Sequence, residues 1–317
     1  MSVLIIGGTG FIGKALVKRF LESENQVVVM SRRIHEFPAD IKERVISTTG
    51  DVRIFSDVLK IVDDCRIDKI IHAAYTLTKA SVENPFGAIE TNVLGATNVF
   101  EAARIMGVRR VVFCSSLTAY APQEMYGDRM VTEDEILLKP ASLYGATKLL
   151  NEFVASSFES KYGLEIPFLR IAGVYGMGTE KNALMSWPSK ITSAAVSGEP
   201  VRIPIRPDEQ ASFIHVNDVA EHLFRLCMKK KLKYRIYNSG GFAASGREFL
   251  EIVKKYYPNV KVSFDKNAPL FWPYPSKLDG VRVSKEINWK LRDPETGLLD
   301  MINQDRLVLG LKQLKKK

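Results

Sequence analysis

The chain has 317 residues, 46% of them hydrophobic, and a formal net charge of +9. That length fits one large α/β domain or two smaller ones. No apolar stretch of about 18 residues offers a membrane span, so no membrane partner is expected. The N-terminal apolar run lacks the basic flank and cleavage site of a signal peptide. Cys65, Cys114 and Cys227 have no CxxC spacing, indicate neither a disulfide framework nor a metal site, and suit a reducing cytoplasm. The lysine runs Lys229–Lys231 and Lys315–Lys317 have no interleaved aromatics and read as solvated charge, with no nucleic-acid partner. A positive surface does favour an anionic cofactor or substrate.

Ser2–Ile6 reads as a strand, and Gly7-Gly8-Thr9-Gly10-Phe11-Ile12-Gly13 follows it directly. A helix then runs over about Lys14–Ser23. Strand, glycine turn and helix are the parts of a dinucleotide-binding crossover. Gly7 suits the tight turn, Gly10 admits a pyrophosphate to the backbone, and Gly13 lets the helix pack on the strand. The second strand, Gln26–Met30, ends in Ser31-Arg32-Arg33. An acid at this strand end binds the ribose hydroxyls of NAD. Here a hydroxyl and two guanidinium groups stand instead and suit a 2′-phosphate, so NADP is favoured over NAD.

A third strand, Arg44–Thr49, precedes Gly50-Asp51-Val52. Asp51 suits the adenine amino group, or the next helix as a cap, and Val52 the face of the ring. After a helix over Ser56–Cys65, a buried strand Lys69–His72 leads into Ala73-Ala74-Tyr75. The small residues let a cofactor lie against the backbone, and His72 reads as a packed strand-end histidine. One long helix is expected over Pro85–Met106, with Asn92 turned inward to stabilise the site. Arg110–Cys114 is a fifth strand, ending in Ser115-Ser116. A helix opens at Ser142–Lys148 and runs to Tyr162, and Ile166–Ile171 is a sixth strand.

Beyond a glycine-rich exit at Gly173–Gly178, residues 179–210 read as irregular apart from a helix over Trp187–Ser197. Further strands are expected at Ser212–Val216, Tyr234–Asn238 and Lys261–Phe264. Further helices are expected at Asn217–Lys229, Gly246–Tyr257 and Glu295–Leu311. Ala268–Pro275, with three prolines and three aromatics, reads as an extended loop. Strands alternating with helices imply an α/β fold with a doubly wound parallel sheet, and ligands bind at the carboxyl ends of such strands.

Tyr144 and Lys148 share one helix face, about a turn apart. A phenol titrates near pH 10. A neighbouring ammonium is expected to lower that value, so that Tyr144 exchanges a proton with an alcohol or ketone. Ser116 is placed to hold the substrate oxygen, and Lys148 to bind the nicotinamide ribose.

The segments GGTGFIG (7–13), GDV (50–52), HAA (72–74), Asn92, SSLTAY (115–120), YGATK (144–148), LRIAGVYG (169–176) and FIHVNDVA (213–220) together resemble the extended short-chain dehydrogenase/reductases, the NAD(P)-dependent epimerase/dehydratase family. INWK at 287–290 resembles the family's late signature. The resemblance implies a Rossmann domain (1–172 plus 213–240) and a smaller C-terminal substrate-binding domain (173–212 plus 241–317). It implies catalysis by Ser116, Tyr144 and Lys148, and a homodimer formed through helices near 85–106 and 144–160. Phe11, Ile12, Ala73, Ala74, Tyr75, Ile171 and Val174 join the implied cofactor contacts.

The departures narrow the chemistry. Leu117 and Thr118 stand where family dehydratases carry a carboxylate, which leaves plain hydride chemistry on a small-molecule substrate: alcohol–carbonyl interconversion, or 4-epimerisation of a nucleotide sugar. Gly173 replaces a usual asparagine, Ala211-Ser212 lack a usual arginine, and Pro269 and its apolar neighbours lack another. Arg202, Arg206 and Arg282 are the remaining candidates to bind a diphosphate. Phe271, Trp272 and Tyr274 suit a less polar substrate or domain packing.

Overall fold

A computed structural model describes residues 1–33, 37–136, 138–179 and 185–316. Within the irregular stretch expected at 179–210, residues 180–184 lie outside the described residues, as does Lys317 of the terminal lysine run.

The first half is a regular alternation. β1 (Ser2–Ile6), α1 (Phe11–Leu21), β2 (Gln26–Ser31), the short α2 (Ala39–Lys42), β3 (Val45–Thr49), α3 (Phe55–Asp64) and β4 (Lys69–His72) follow one another. β1 and β4 are buried throughout, as strands covered on both faces must be. α4 (Thr78–Glu83), α5 (Pro85–Ile89), a π-helical turn (Glu90–Leu94) and α6 (Gly95–Ile105) lead to β5 (Arg110–Ser116). α7 (Leu143–Tyr162) starts on a Ser142 cap, whose Oγ accepts from Gly145 N, and ends on Gly163 in the left-handed region. β6 (Phe168–Ile171) completes the run.

The helix expected over Pro85–Met106 runs continuously over 85–105, with a π turn in its middle. Asn84 Oδ1 accepts from Gly87 N at 3.0 Å and caps a fresh start at Pro85. The π turn then rotates Asn92 into the interior. There its Oδ1 accepts from Thr76 N at 2.7 Å, and its Nδ2 donates to Thr76 O at 3.0 Å and to Thr147 Oγ1 at 3.3 Å. Such turns trade regular helix for side-chain aim and are frequent at functional sites.

The second half is β7 (Gly173–Tyr175), α8 (Trp187–Ser197), β8 (Val201–Ile203), β9 (Ala211–His215), α9 (Val216–Met228), β10 (Ile236–Asn238), β11 (Phe242–Ala244), α10 (Gly246–Lys254), β12 (Val262–Phe264), α11 (Val281–Ile287) and α12 (Pro294–Val308). β7, β8, β11 and α11 escape sequence reading because three-residue strands and a two-turn helix carry too little periodicity.

Seven strands form one parallel sheet in the order β10-β6-β5-β4-β1-β2-β3. The order reverses between β1 and β4, the switch point where such sheets bind ligands. β9, expected within the Rossmann part, pairs instead with β7 and β11 in a three-stranded sheet, and β8 pairs with β12. Among the described residues, no helix is long and apolar enough to cross a membrane.

Candidate active site

Because all seven strands run parallel, Gly7, Ser31, Gly50, Ala73, Ser116 and Ile171 all emerge at one edge. Gly7 turns there with φ +87°, and a Cβ on it would lie 2.8 Å from the Ala73 and Ala74 backbone. A Cβ on Gly13 would lie 2.1 Å from the Gly7 carbonyl oxygen. Gly10, the residue before α1, brings no side chain to cap it. The first N–H groups of α1, from Phe11 and Ile12 onward, therefore point out of the helix at a backbone that only glycines permit. This cradle fits the pyrophosphate of a dinucleotide. Ile171 is buried at the end of β6, and Val174 is half-buried on β7.

The part of this edge after β2 and β3 is open. Arg32 and Arg33 are exposed, and Ser31 Oγ donates to the Arg33 carbonyl at 2.7 Å. Asp51 is gripped by a residue that sequence reading missed: Arg53 Nη2 donates to Oδ2 at 2.6 Å, and Nε donates at 3.0 and 3.1 Å. That grip holds the Asp51 carboxyl below its ordinary range, with Arg32 adding to the effect. A basic residue two places after Asp51 was the available signal. Val52 is buried beneath α6, where a Cβ on Gly95 would meet its methyl group at 2.7 Å.

The opposite end is closed. Tyr144, Lys148 and Ser116 are all buried, Lys148 to 1% exposure. Lys148 Nζ donates to the Cys114 carbonyl at 2.7 Å and sits 4.0 Å from the Tyr75 ring centroid and 5.5 Å from that of Tyr144. Burial lowers the Lys148 pKa to about 7. Tyr144 departs from the sequence expectation: burial raises its phenol well above pH 10, and the hydrogen bond with Ser116 opposes this only in part. The lysine charge is spent on a carbonyl and the Tyr75 face, so desolvation prevails. His72 is fully buried and held neutral, its pKa lowered to about 3 by burial and the nearby Lys148. Asn92 stands behind the edge, clamping the Thr76 backbone beside Tyr75.

Beyond Tyr274, a cavity of about 370 Å³ is walled by Gln123, Glu124, Asp128, Glu209, Trp272 and Tyr274 among others. No lysine or arginine stands among its described lining residues. The arginines considered for a diphosphate are engaged elsewhere. Arg202 pairs with Asp265 at 3.0 Å, Arg206 donates to the Ala268 carbonyl at 2.7 Å, and Arg282 pairs with Asp134. At Gly173 a Cβ would meet Ser212 O at 2.7 Å and the Trp272 ring at 2.8 Å, so the indole occupies the space a side chain there would need. Phe271, Trp272 and Tyr274 pack with Trp187 and Phe213 in an aromatic cluster.

A family model described as the NAD dependent epimerase/dehydratase family matches residues 3–240. The chain belongs to this family and is an enzyme of the extended short-chain dehydrogenase/reductase group. A UDP-glucose 4-epimerase of Lactobacillus helveticus is 29% identical over 276 residues, 80% of this chain and 81% of that one. The crystal structure of UDP-glucose 4-epimerase from Thermus thermophilus, a complex with NAD, superposes with a TM-score of 0.81 at 26% identity, covering 96% of this chain and 99% of that one. An L-threonine dehydrogenase from Cupriavidus necator shares the fold, with a TM-score of 0.86 at 19% identity and the same coverage. Epimerases thus stand among the relatives, and a dehydrogenase shares the fold.

Proposed function

We propose that the protein is an NAD(P)-dependent oxidoreductase interconverting a secondary alcohol and a ketone or aldehyde. The convergence of Ser116, Tyr144 and Lys148 in one buried corner at the end of β5 carries this reading. A bound nicotinamide dinucleotide supplies or accepts the hydride and, when oxidised, brings a positive charge. Ser116 donates a hydrogen bond to the substrate oxygen. Tyr144, held protonated by burial, gives its phenolic proton to a carbonyl oxygen during reduction and takes it back during oxidation. Lys148 holds the ribose and offsets the charge on the phenolate.

NADP is the favoured cofactor, supported by the exposed Arg32 and Arg33, two guanidinium groups just after β2 where a 2′-phosphate would lie. Residues 173–212 and 241–317 make up the substrate side. Arg202, Arg206 and Arg282, the arginines considered for a diphosphate, are each bonded within the protein, which supports a substrate without one. Phe86 at 75% exposure and Phe153 at 64%, with Val82, Ile89 and Leu150, support a homodimer through α4, α5 and α7. The free cysteines suit a reducing, cytoplasmic setting.

The names of the relatives favour a second reading, a nucleotide-sugar 4-epimerase with a tightly held cofactor. One assay separates the two. Steady change in the nicotinamide absorbance with a panel of carbonyl compounds and alcohols is the expected result. Turnover of a UDP- or GDP-sugar with no net cofactor change would replace the first reading with the second.

A further inference from the structure

Two side chains of α7 dock on consecutive residues of β5. Lys148 Nζ donates to the Cys114 carbonyl at 2.7 Å, and one turn later the Glu152 carboxylate accepts from the Ser115 hydroxyl at 2.5 Å. The next strand residue is Ser116. From β6, Arg170 grips the same carboxylate, donating from Nη2 at 2.5 Å and from Nε at 3.0 and 3.2 Å. Arg170 Nη1 then donates to the Tyr120 hydroxyl at 2.7 Å, and that hydroxyl donates to Asn238 Oδ1 at 2.8 Å. Ser115, Glu152 and Arg170 are all more than nine-tenths buried. A buried ion pair returns little net stability, because desolvating both charges offsets their attraction. What this pair does supply is a fixed geometry directly behind the reacting groups.

We propose that Glu152 is a positioning residue: by holding Ser115 and Arg170 it sets the register of α7 on β5. It thereby fixes the spacing between Ser116 and the Tyr144–Lys148 pair and places a negative charge one turn from the Lys148 ammonium. The inference rests on the functional reading above for the roles of those three residues. The Glu152 charge opposes the burial that lowers Lys148. The other groups facing Lys148 are His72 on β4, Tyr75 after it, Cys114 on β5 and Tyr144 on α7. Burial keeps His72 neutral and the thiol and both phenols protonated. Glu152 is therefore the anion among them.

The test uses the full chain and NADPH binding followed by fluorescence from pH 6 to 9. Lys148 grips a ribose best as an ammonium, so affinity declines as pH rises through its pKa. Glu152→Gln keeps the size and the acceptor for Ser115 but removes the charge. Its decline should come at least about one pH unit lower than in the wild type, and Lys148→Met should remove the pH-dependent part in both backgrounds. With a substrate from the panel, kcat of Glu152→Gln at pH 6 should fall about 100-fold while the KM for NADPH stays within about threefold. Should Glu152→Gln not fold, the double variant Glu152→Gln, Arg170→Met, with neither buried charge, carries the same comparison. Coincident binding curves for wild type and variant overturn the proposal. If the wild type binds NADPH but turns over nothing in the panel, the oxidoreductase reading fails by itself, and the binding curves still decide the role of Glu152.

Discussion

The two ends of the cofactor edge are built on opposite principles. At the end formed by β5 and α7, Lys148 is all but inaccessible and the phenol of Tyr144 is pushed upward by burial. At the end after β2 and β3, Arg32 and Arg33 are exposed, and Asp51 is paired near the surface with Arg53. Charges in a desolvated corner interact strongly and set reactivity, whereas charges on an open rim are screened by water and salt and select among ligands. Substitutions at the buried end should therefore abolish chemistry, and those on the rim should change cofactor choice.

The largest effect is expected at Tyr144. Tyr144→Phe should lower kcat about 10³-fold or more with NADPH affinity unchanged. In the wild type, oxidation should quicken as pH rises, because the phenol must lose its proton first, while reduction, which uses the phenol as acid, should not. Wild-type rates in the Phe variant would dissolve the contrast between the ends. Next comes the turn joining them. Gly13→Ala forces a methyl group against the Gly7 carbonyl. It should weaken binding of both NADPH and NADH about 100-fold by calorimetry, close to 2.7 kcal/mol.

The buried interior sets the response to acid. His72, His215 and His222 each have a pKa lowered to about 3 by burial. In the unfolded chain they titrate near pH 6.5, so the unfolded state binds more protons and stability falls as pH drops from about 6.5 toward 3. At pH 5 the loss should be about 2 kcal/mol for each histidine. Urea midpoints at pH 7 and pH 5 measure it, and His222→Asn should flatten the slope. The smallest effect belongs to the rim. Arg32→Ala with Arg33→Ala should weaken NADPH about tenfold to a hundredfold, leave NADH nearly unchanged and reduce the salt dependence. Equal losses for both cofactors would remove the case for the 2′-phosphate.

Much of the cofactor edge is legible in the chain because each part is local. A glycine turn between β1 and α1, a four-residue spacing on α7 and small residues after β4 need only their own neighbours to be understood. The π turn at Asn92 was hidden, because helical periodicity continues on both sides of it and only the bonds to Thr76 show the rotation. Arg53 was missed although its partner Asp51 stands only two residues before it. In the second half of the chain β7, β8 and β11 are three-residue strands, and the partner of β8 lies far along the chain, Val201–Ile203 pairing with Val262–Phe264.

The parallel α/β alternation, and the residues that stand at the carboxyl ends of its strands, follow from the chain alone, since strand burial and helical spacing are written in local pattern. Their electrostatic state does not, and it emerges only when the segments pack. Burial overrides the ammonium expected to acidify Tyr144, because desolvation depends on everything packed around the phenol and no spacing in the chain records it. Packing also decides which arginines are free to meet a ligand, because an ion pair such as Arg282 with Asp134 forms between segments the chain keeps far apart.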